Sequence, residues 1–372
     1  TGKTLGENLE ELKNNLRSQG SPDKEITFVD AIKGEIKLPE NIHDIVLLKK
    51  DGIPTYHFAH AIDDHLMRTT TVVRGGEWLA SAPIHYELFH LLGFKMPAYA
   101  HTAHLMKFDE ETGGKRKLSK RKDPELSLDY YRKDGYHPYT MKVYLLTLLN
   151  SNFEEWHEKF PDKDINEFPF SVEKMNQSGA LFDKDKLHNI CKNELSKLSE
   201  EELYDFLYDW AKENEPENVE KWFGDREKML QILRLYMGVG AKRRRKDLMY
   251  AKQIFELISY FFDGESAEEM DEFKLDEDMV SKILKSYLAK YDHNDDNSVW
   301  FNKLKEIADE HGFASDMKAY KANPENFKGN VSDIAEAVRI AVTGRANTPD
   351  LWTIVHIMGE EQMTERIKKH IK

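Results

Sequence analysis

The chain has 372 residues, 40% of them hydrophobic and 33% charged, and a formal net charge of −13 at pH 7. Those figures predict a soluble protein of two or three domains with ample core. One cysteine, Cys191, excludes an intrachain disulfide and a cysteine-rich zinc site, and apolar runs such as Leu145–Leu149 are far too short to span a bilayer. No basic-then-apolar leader opens the sequence, so the expectation is a cytoplasmic protein without a membrane partner.

In chain order, Leu5, Leu9, Leu12 and Leu16 recur at helical spacing until Gly20-Ser21-Pro22 breaks the pattern. Residues 26–30 and 35–38 alternate around Gly34 like a hairpin, and Ile45–Lys49 reads as a third strand turning at Asp51-Gly52. Residues 53–108 then alternate between the two types. Pro54–Phe58 reads as a strand, Ala59–Met67 as a helix, Thr69–Arg74 as a strand, Glu77–Leu92 as a long helix and Ala98–Met106 as a last strand. Such alternation predicts a parallel sheet with ligands at the carboxyl ends of its strands, where Tyr56 and Arg74 both fall. An arginine there can grip a carboxylate with two parallel hydrogen bonds, although an arginine in a surface ion pair and a half-buried strand tyrosine are equally ordinary.

Six of the eight residues from Lys115 to Lys122 are cationic, against the sign of the whole chain. A local positive field of that kind points to an anionic ligand, or to a solvated loop. Gly113-Gly114 supplies freedom before it, and Asp123-Pro124 ends any helix after it. Upstream, His57, His60, Asp63, Asp64 and His65 form a cluster in which His60 and Asp64 are i, i+4 neighbours. The cluster admits a metal, but no Glu-x-x-His or second ligand set supports one, and no metal site is assigned.

From Leu126 onward amphipathic helices follow almost without strands. Ser199 with Glu202 predicts a capping box, and Thr348-Pro349-Asp350 an N-cap with proline at the first helical position. Asp263–Glu277 and Asp292–Asn297 read as connectors. A second basic run, Lys242-Arg243-Arg244-Arg245-Lys246, follows a helix around Leu230–Met237, and Arg345 lies in a loop before the last helix pair. Both could meet RNA phosphates, and the run could equally be a solvated helix face.

Three ordered blocks carry a resemblance: Gly52–Met67, Val72–Leu79 and Lys117-Leu118-Ser119-Lys120-Arg121. The last resembles the Lys-Met-Ser-Lys-Ser loop of class I aminoacyl-tRNA synthetases, in the form common in glutamyl-tRNA synthetases, and the first two resemble the blocks preceding it there. The closing Val338–Arg345 with Thr348-Pro349 is similar to that family's final segment. The resemblance implies an α/β plus all-α protein: the C-terminal half of a Rossmann-like class I catalytic domain, then helical stem-contact and anticodon-binding regions. The implied segments are the end of an acceptor-binding insertion (1–50), the catalytic half (51–110), the loop and stem-contact region (111–195) and the anticodon-binding domain (196–372).

The same resemblance implies roles. Lys120 and Lys117 are the catalytic cations, and Lys117, Ser119, Lys120 and Trp78 bind ATP. Tyr56, Arg74 and His60 hold glutamate, with His60 where some relatives carry Asn. Lys242, Arg243, Arg244, Arg245 and Arg345 meet tRNA. ATP and magnesium are the implied cofactors, glutamate, ATP and tRNA the partners, and a monomer the implied state. Class I enzymes also use a His-x-Gly-His block to bind ATP, and these 372 residues contain none. The resemblance therefore covers roughly the last two thirds of a family member, and this stretch alone is expected to be inactive. Two rival readings are a tRNA-binding module without catalysis and a metal-dependent hydrolase at His57–His65.

Overall fold

A computed structural model describes residues 24–109, 111–262 and 270–372. The expected N-terminal helix and residues 263–269 of the first acidic connector lie outside the described residues. The chain divides into two compact units, 1–126 with 142–184, and 127–141 with 185–372.

The first unit is built on two small sheets. Strands β1 (Glu25–Asp30) and β2 (Gly34–Pro39) form the expected antiparallel hairpin, and Gly34 closes its turn at φ 78°, a conformation that favours glycine. Ile26, Phe28 and Asp30 point inward with the period of two that an extended chain imposes. Ile45–Lys49 does not become a strand. Leu48 makes one isolated bridge to Pro54, and proline has no N–H with which to extend a ladder. Residues 54–58 are not a strand either, because helix α1 (Tyr56–Leu66) has already begun at Tyr56. A five-residue alternation fits a strand and a first helical turn equally well, and here Tyr56 stacks on His60 one turn later.

Strand β3 (Thr71–Gly75) runs parallel to β4 (Ala98–Thr102), giving the sheet order β2-β1-β4-β3. The predicted helix over 77–92 is split. Gly76–Ser81 winds as a 3₁₀ turn, and helix α2 runs Ala82–Leu91 with Pro83 in its first turn, where its missing N–H costs nothing. Leu47, Phe58, Ala61, Leu88 and Phe89 form one cluster between these helices. The predicted strand 98–106 is also two: β5 (Leu105–Phe108) leaves the first sheet to pair with β6 (Lys115–Lys117) and later with β7 (Ala180–Leu181).

Glu87 on α2 is a misfit in this packing. Asn41 N–H donates to its Oε1 at 3.2 Å, but its Oε2 is buried with no partner, and burial pushes its carboxyl up to about 7. The unfolded group titrates near 4.3. Because the native value is the higher one, stability is retained below the unfolded value and lost as pH rises through the native one. Glu87→Gln is therefore expected to stabilise the protein by about 1 kcal/mol at pH 8, where a solvent-discounted charge penalty is removed, and to have little effect at pH 5. Thermal melts at the two pH values check it.

The chain crosses between units within helix α4 (Pro138–Leu149), after α3 (Leu128–Asp134) and before α5 (Phe153–Lys159). Gly135, at φ 78°, ends α3 where a Cβ would lie 2.4 Å from Ala251 Cβ, so both conformation and space demand glycine. The second unit continues through α6 (Lys184–Leu195), α7 (Glu200–Asn214), α8 (Val219–Phe223), α9 (Arg226–Met237) and α10 (Ala251–Ile258). Helices α11 (Glu277–Lys290), α12 (Asn297–His311), α13 (Met317–Ala322), α14 (Val331–Thr343), α15 (Leu351–Met358) and α16 (Glu360–Lys368) complete it. No strand follows Leu181 among the described residues. One apolar core joins Leu207, Leu233, Ile254, Ile283, Ile334 and Ile354.

The capping box of Ser199 and Glu202 is present. At the other predicted cap, Asp350 is the N-cap, accepting from Thr353 N–H at 2.9 Å, so Pro349 lies outside the helix and not at its first position. Among the described residues no helix is long and apolar enough to cross a membrane.

Candidate active site

The β3–β4 register sets Arg74 directly opposite His101 at the carboxyl ends of both strands. Three parts of the unit then converge on the Arg74 guanidinium. Its Nε donates to His101 Nε2 at 3.0 Å, its Nη1 lies 3.0 Å from His85 Nδ1 on α2, and its Nη2 reaches Trp78 O at 3.5 Å. Its Cζ stands 4.6 Å over the Tyr99 ring, a cation–π contact from β4. Beyond these, His101 Nδ1 sits 2.6 Å from Asp30 Oδ2, and His85 Nε2 sits 2.9 Å from His57 Nδ1 on α1. Arg74 is thus a held side chain with part of its fork still open, not a surface ion pair.

Tyr56, placed by sequence at a strand end, stands instead at the first residue of α1 and is half exposed. Its ring stacks on His60 (centroids 5.7 Å, 7° between planes) and tilts against Trp78 at 4.4 Å. These three rings form an aromatic wall beside the guanidinium. His60 does not face solvent: Nδ1 meets Asp64 Oδ2 at 2.8 Å and Nε2 meets Tyr99 Oη at 2.8 Å.

Burial and the fixed charge of Arg74 keep this imidazole cluster neutral. Burial, then His60 and Arg74, push the His85 ring down to about 2. Burial and Arg74 lower His57, and burial lowers His60 against the pull of Asp64. At His101, burial and Arg74 outweigh Asp30 and lower the ring. Burial alone would raise Asp30, but donors from Lys33, His101 and Ile32 hold its carboxyl below the usual range. These histidines are spent on Arg74, Asp64 and one another, and among the described residues no group of three His, Cys, Asp or Glu side chains is placed to hold a metal.

The cationic loop follows directly. His101 lies four residues before Leu105, whose carbonyl accepts from Leu118 N–H at 3.0 Å, so the loop begins within about 13 Å of extended chain from the clamp. Leu118 is buried, and Asp123 braces the turn. Asp123 takes a bidentate pair from Arg116 at 2.7 Å each, Lys107 Nζ at 3.1 Å and Ser119 N–H at 2.7 Å. Ser119 Oγ accepts from Lys122 N–H at 3.3 Å. Of the six cations only Arg116 has an ion-pair partner among the described residues, also touching Asp109 at 3.1 Å. Lys117, Lys120, Arg121 and Lys122 are exposed with no ion-pair partner among the described residues. The loop is therefore a braced turn presenting ammonium groups outward.

In the second unit, the basic run is not a helix face. α9 ends at Gly238, and residues 239–250 are irregular. Arg243 and Arg245 line a groove of about 730 Å³, with Pro349, Thr353 and His356 on another wall. Arg245 is paired with Asp247 at 2.6 Å, and Lys246 donates to Asn193 at 2.8 Å. Lys242 and Arg244 are not among the residues lining the groove. Arg345 is elsewhere, its Nη2 donating to Glu256 O at 2.7 Å.

Sequence reading missed Asp30, His57, His85 and His101 as supports of Arg74, and Asp123 as the brace of the loop. An Asp at a strand end before a turn was the one local signal. The contacts that hold Arg74 span 11 to 71 residues and follow from strand register and from the packing of helices α1 and α2 on the sheet.

Comparison with known proteins is consistent across sequence and structure. The family described as "tRNA synthetases class I (E and Q), catalytic domain" matches residues 5–189, and the "Anticodon binding domain" family matches residues 202–371. The chain is 52% identical to a glutamate–tRNA ligase of Acetivibrio thermocellus, over 98% of this chain and 68% of that protein. It is 45% identical to one of Clostridium perfringens, over 96% of this chain and 65% of that protein. A solved glutamate–tRNA synthetase of Elizabethkingia anophelis superposes with a TM-score of 0.66 at 25% identity, over 97% of this chain and 70% of that one. The chain thus spans about two thirds of the length of its curated relatives. With an α/β unit carrying the three ordered blocks and a helical unit matching an anticodon-binding domain, this chain belongs to the class I tRNA synthetases, in the glutamate–tRNA ligase family.

Proposed function

We propose that these 372 residues are part of an enzyme that activates glutamate with ATP to glutamyl-adenylate and transfers it to tRNA. The observation that carries this reading is the Arg74 guanidinium, held rigid at the carboxyl end of β3, where open α/β sheets bind their ligands. Its open N–H groups take a carboxylate of glutamate as a fork. Tyr56, Trp78 and His60 wall the pocket, with Trp78 also beside the nucleotide. Gripping the side-chain carboxylate in this way leaves the α-carboxylate free to react and holds it near the α-phosphate of ATP, a positioning gain of the kind that dominates phosphoryl chemistry.

As the oxygen attacks, charge builds on the departing pyrophosphate. Lys120, with Lys117 and the hydrogen-bonding Ser119, stabilises it from the braced loop. ATP is the co-substrate, and magnesium would arrive on its phosphates. Residues 1–50 and 111–195 are assigned to the acceptor end and stem of tRNA, 51–110 to chemistry and 196–372 to the anticodon. Arg243 and Arg245 contact the RNA from the groove wall, and Lys242, Arg244 and Arg345 reach phosphates nearby. A reducing cytoplasm fits the single free cysteine, Cys191, and the enzyme works there as a monomer.

These 372 residues, lacking a His-x-Gly-His block, are expected to bind a non-hydrolysable glutamyl-adenylate analogue without catalysing pyrophosphate exchange. Calorimetry with that analogue tests the reading, and absence of saturable binding would sink it. Titration with labelled tRNA tests the second unit. Arg243→Ala with Arg245→Ala is expected to weaken binding across tRNA sequences and to flatten the log–log salt dependence by about 1.5, roughly 0.7 to 0.9 for each phosphate no longer neutralised. An unchanged slope would remove these two residues from the interface.

A further inference from the structure

The Arg74 clamp fixes where protons sit on its supports. A guanidinium has donors only and stays protonated. A ring nitrogen that meets it must therefore be a bare acceptor. His101 Nε2 meets Arg74 Nε at 3.0 Å, so the His101 proton sits on Nδ1, 2.6 Å from Asp30 Oδ2. Asp30 is committed to that role: its Oδ1 accepts from Ile32 N–H at 3.0 Å and Lys33 N–H at 2.9 Å, and its Oδ2 also takes His101 N–H at 3.1 Å. Asp30 is 1% exposed and His101 0%, so no water competes for either.

The same logic applies on the other side. His85 Nδ1 accepts from Arg74 Nη1 at 3.0 Å, leaving its proton on Nε2 for His57 Nδ1 at 2.9 Å. With Nε committed to His101, a carboxylate can be gripped only at the end of the fork formed by Nη1 and Nη2. The ring rotation of His101 thereby sets the angle at which the ligand is met.

We propose that Asp30 and His101 are positioning residues for the side-chain carboxylate of the amino acid: Asp30 holds His101 in its Nδ1–H tautomer, and His101 Nε2 aims the Arg74 fork. Neither touches the ligand. The inference rests on the reading that Arg74 binds glutamate, and deepens it by naming what orients the arginine.

Asp30→Asn is the sharpest perturbation. The amide keeps an oxygen for the Ile32 and Lys33 N–H groups but turns an NH₂ toward His101. His101 must then carry its proton on Nε2, facing the arginine N–H. Nitrogen-15 NMR of the histidine-labelled 372-residue chain, without ligand, is expected to show His101 neutral and protonated on Nδ1 alone, and to show the proton moved to Nε2 in Asp30→Asn. A parent His101 protonated on Nε2 overturns the proposal whatever glutamate does.

Calorimetry with the glutamyl-adenylate analogue supplies the second arm. Asp30→Asn and His101→Leu are expected to weaken binding roughly 10- to 100-fold, the loss of one charge-assisted hydrogen bond. His101→Gln, whose side-chain oxygen can still accept from Arg74 Nε, recovers most of that loss and stands in should Asp30→Asn fail to fold. Unchanged binding in both Asp30→Asn and His101→Leu, with loss in Arg74→Ala, overturns the positioning role and leaves the carboxylate reading intact. Unchanged binding in Arg74→Ala overturns the carboxylate reading itself, and the NMR arm still decides the tautomer.

Discussion

Arg74→Ala is expected to lower the affinity for a glutamyl-adenylate analogue by roughly 10²- to 10³-fold, and Arg74→Lys to recover little of it. The alanine removes a charge that meets a carboxylate in a partly buried site, a loss of about 3–4 kcal/mol. Lysine restores the charge but not the shape. An ammonium cannot donate to His101 and His85 while presenting two parallel N–H groups to a ligand. It is also strongly hydrated, and the surrounding imidazoles are held neutral by burial and by the existing cation. Titration calorimetry on parent and variants checks the ranking. If lysine equals arginine, the fork geometry has no role and only charge matters.

The second large effect is expected at Asp123. Its side chain is fully buried, and it gathers Arg116, Lys107 and the Ser119 N–H into one node beneath the cationic loop. Asp123→Ala leaves two cations and a backbone donor without their shared acceptor, since Asp109 and Glu125 can each reach only one of them. A loss of about 3 kcal/mol in the stability of the first unit is expected, as for other buried ion pairs broken on one side. The arginine beside it holds this carboxyl well below the usual range. Its contribution is then complete above about pH 4, and it is lost only as pH falls through the depressed native value. Denaturant titrations at pH 7 and at pH 3 check this. The gap between parent and variant should be the larger at pH 7. The same variant should loosen the loop, read as faster amide exchange at Ser119 and Leu118.

Much of this protein was legible in one dimension. The hairpin around Gly34, the strand read over 69–74 and found at 71–75, the helical second half and the Ser199 capping box all follow from local chemistry: a glycine that tolerates positive φ, β-branched runs, apolar spacing at 3.6 residues, and a hydroxyl three residues ahead of a carboxylate. The boundaries read wrongly have local causes too. Pro83 and Pro54 act through a missing N–H, which shortens a helix in one place and prevents a strand in the other.

The sequence by itself determined that a cationic turn, a strand-end arginine and a helical C-terminal half belong to one chain. Each of these is written in residues that sit side by side. Only the tertiary structure decided what Arg74 is. The parallel register of β3 against β4 sets His101 beside it, and the packing of α2 brings His85, while the end of β1 supplies Asp30 from 71 residues before His101. The basic run of the second unit tells the same story. Its charges were plain, but that Arg243 and Arg245 share a groove with Pro349 depends on a chain reversal of about a hundred residues. Hydrogen bonds and charge act over a few ångströms in space, and no local pattern encodes which distant segments close that gap.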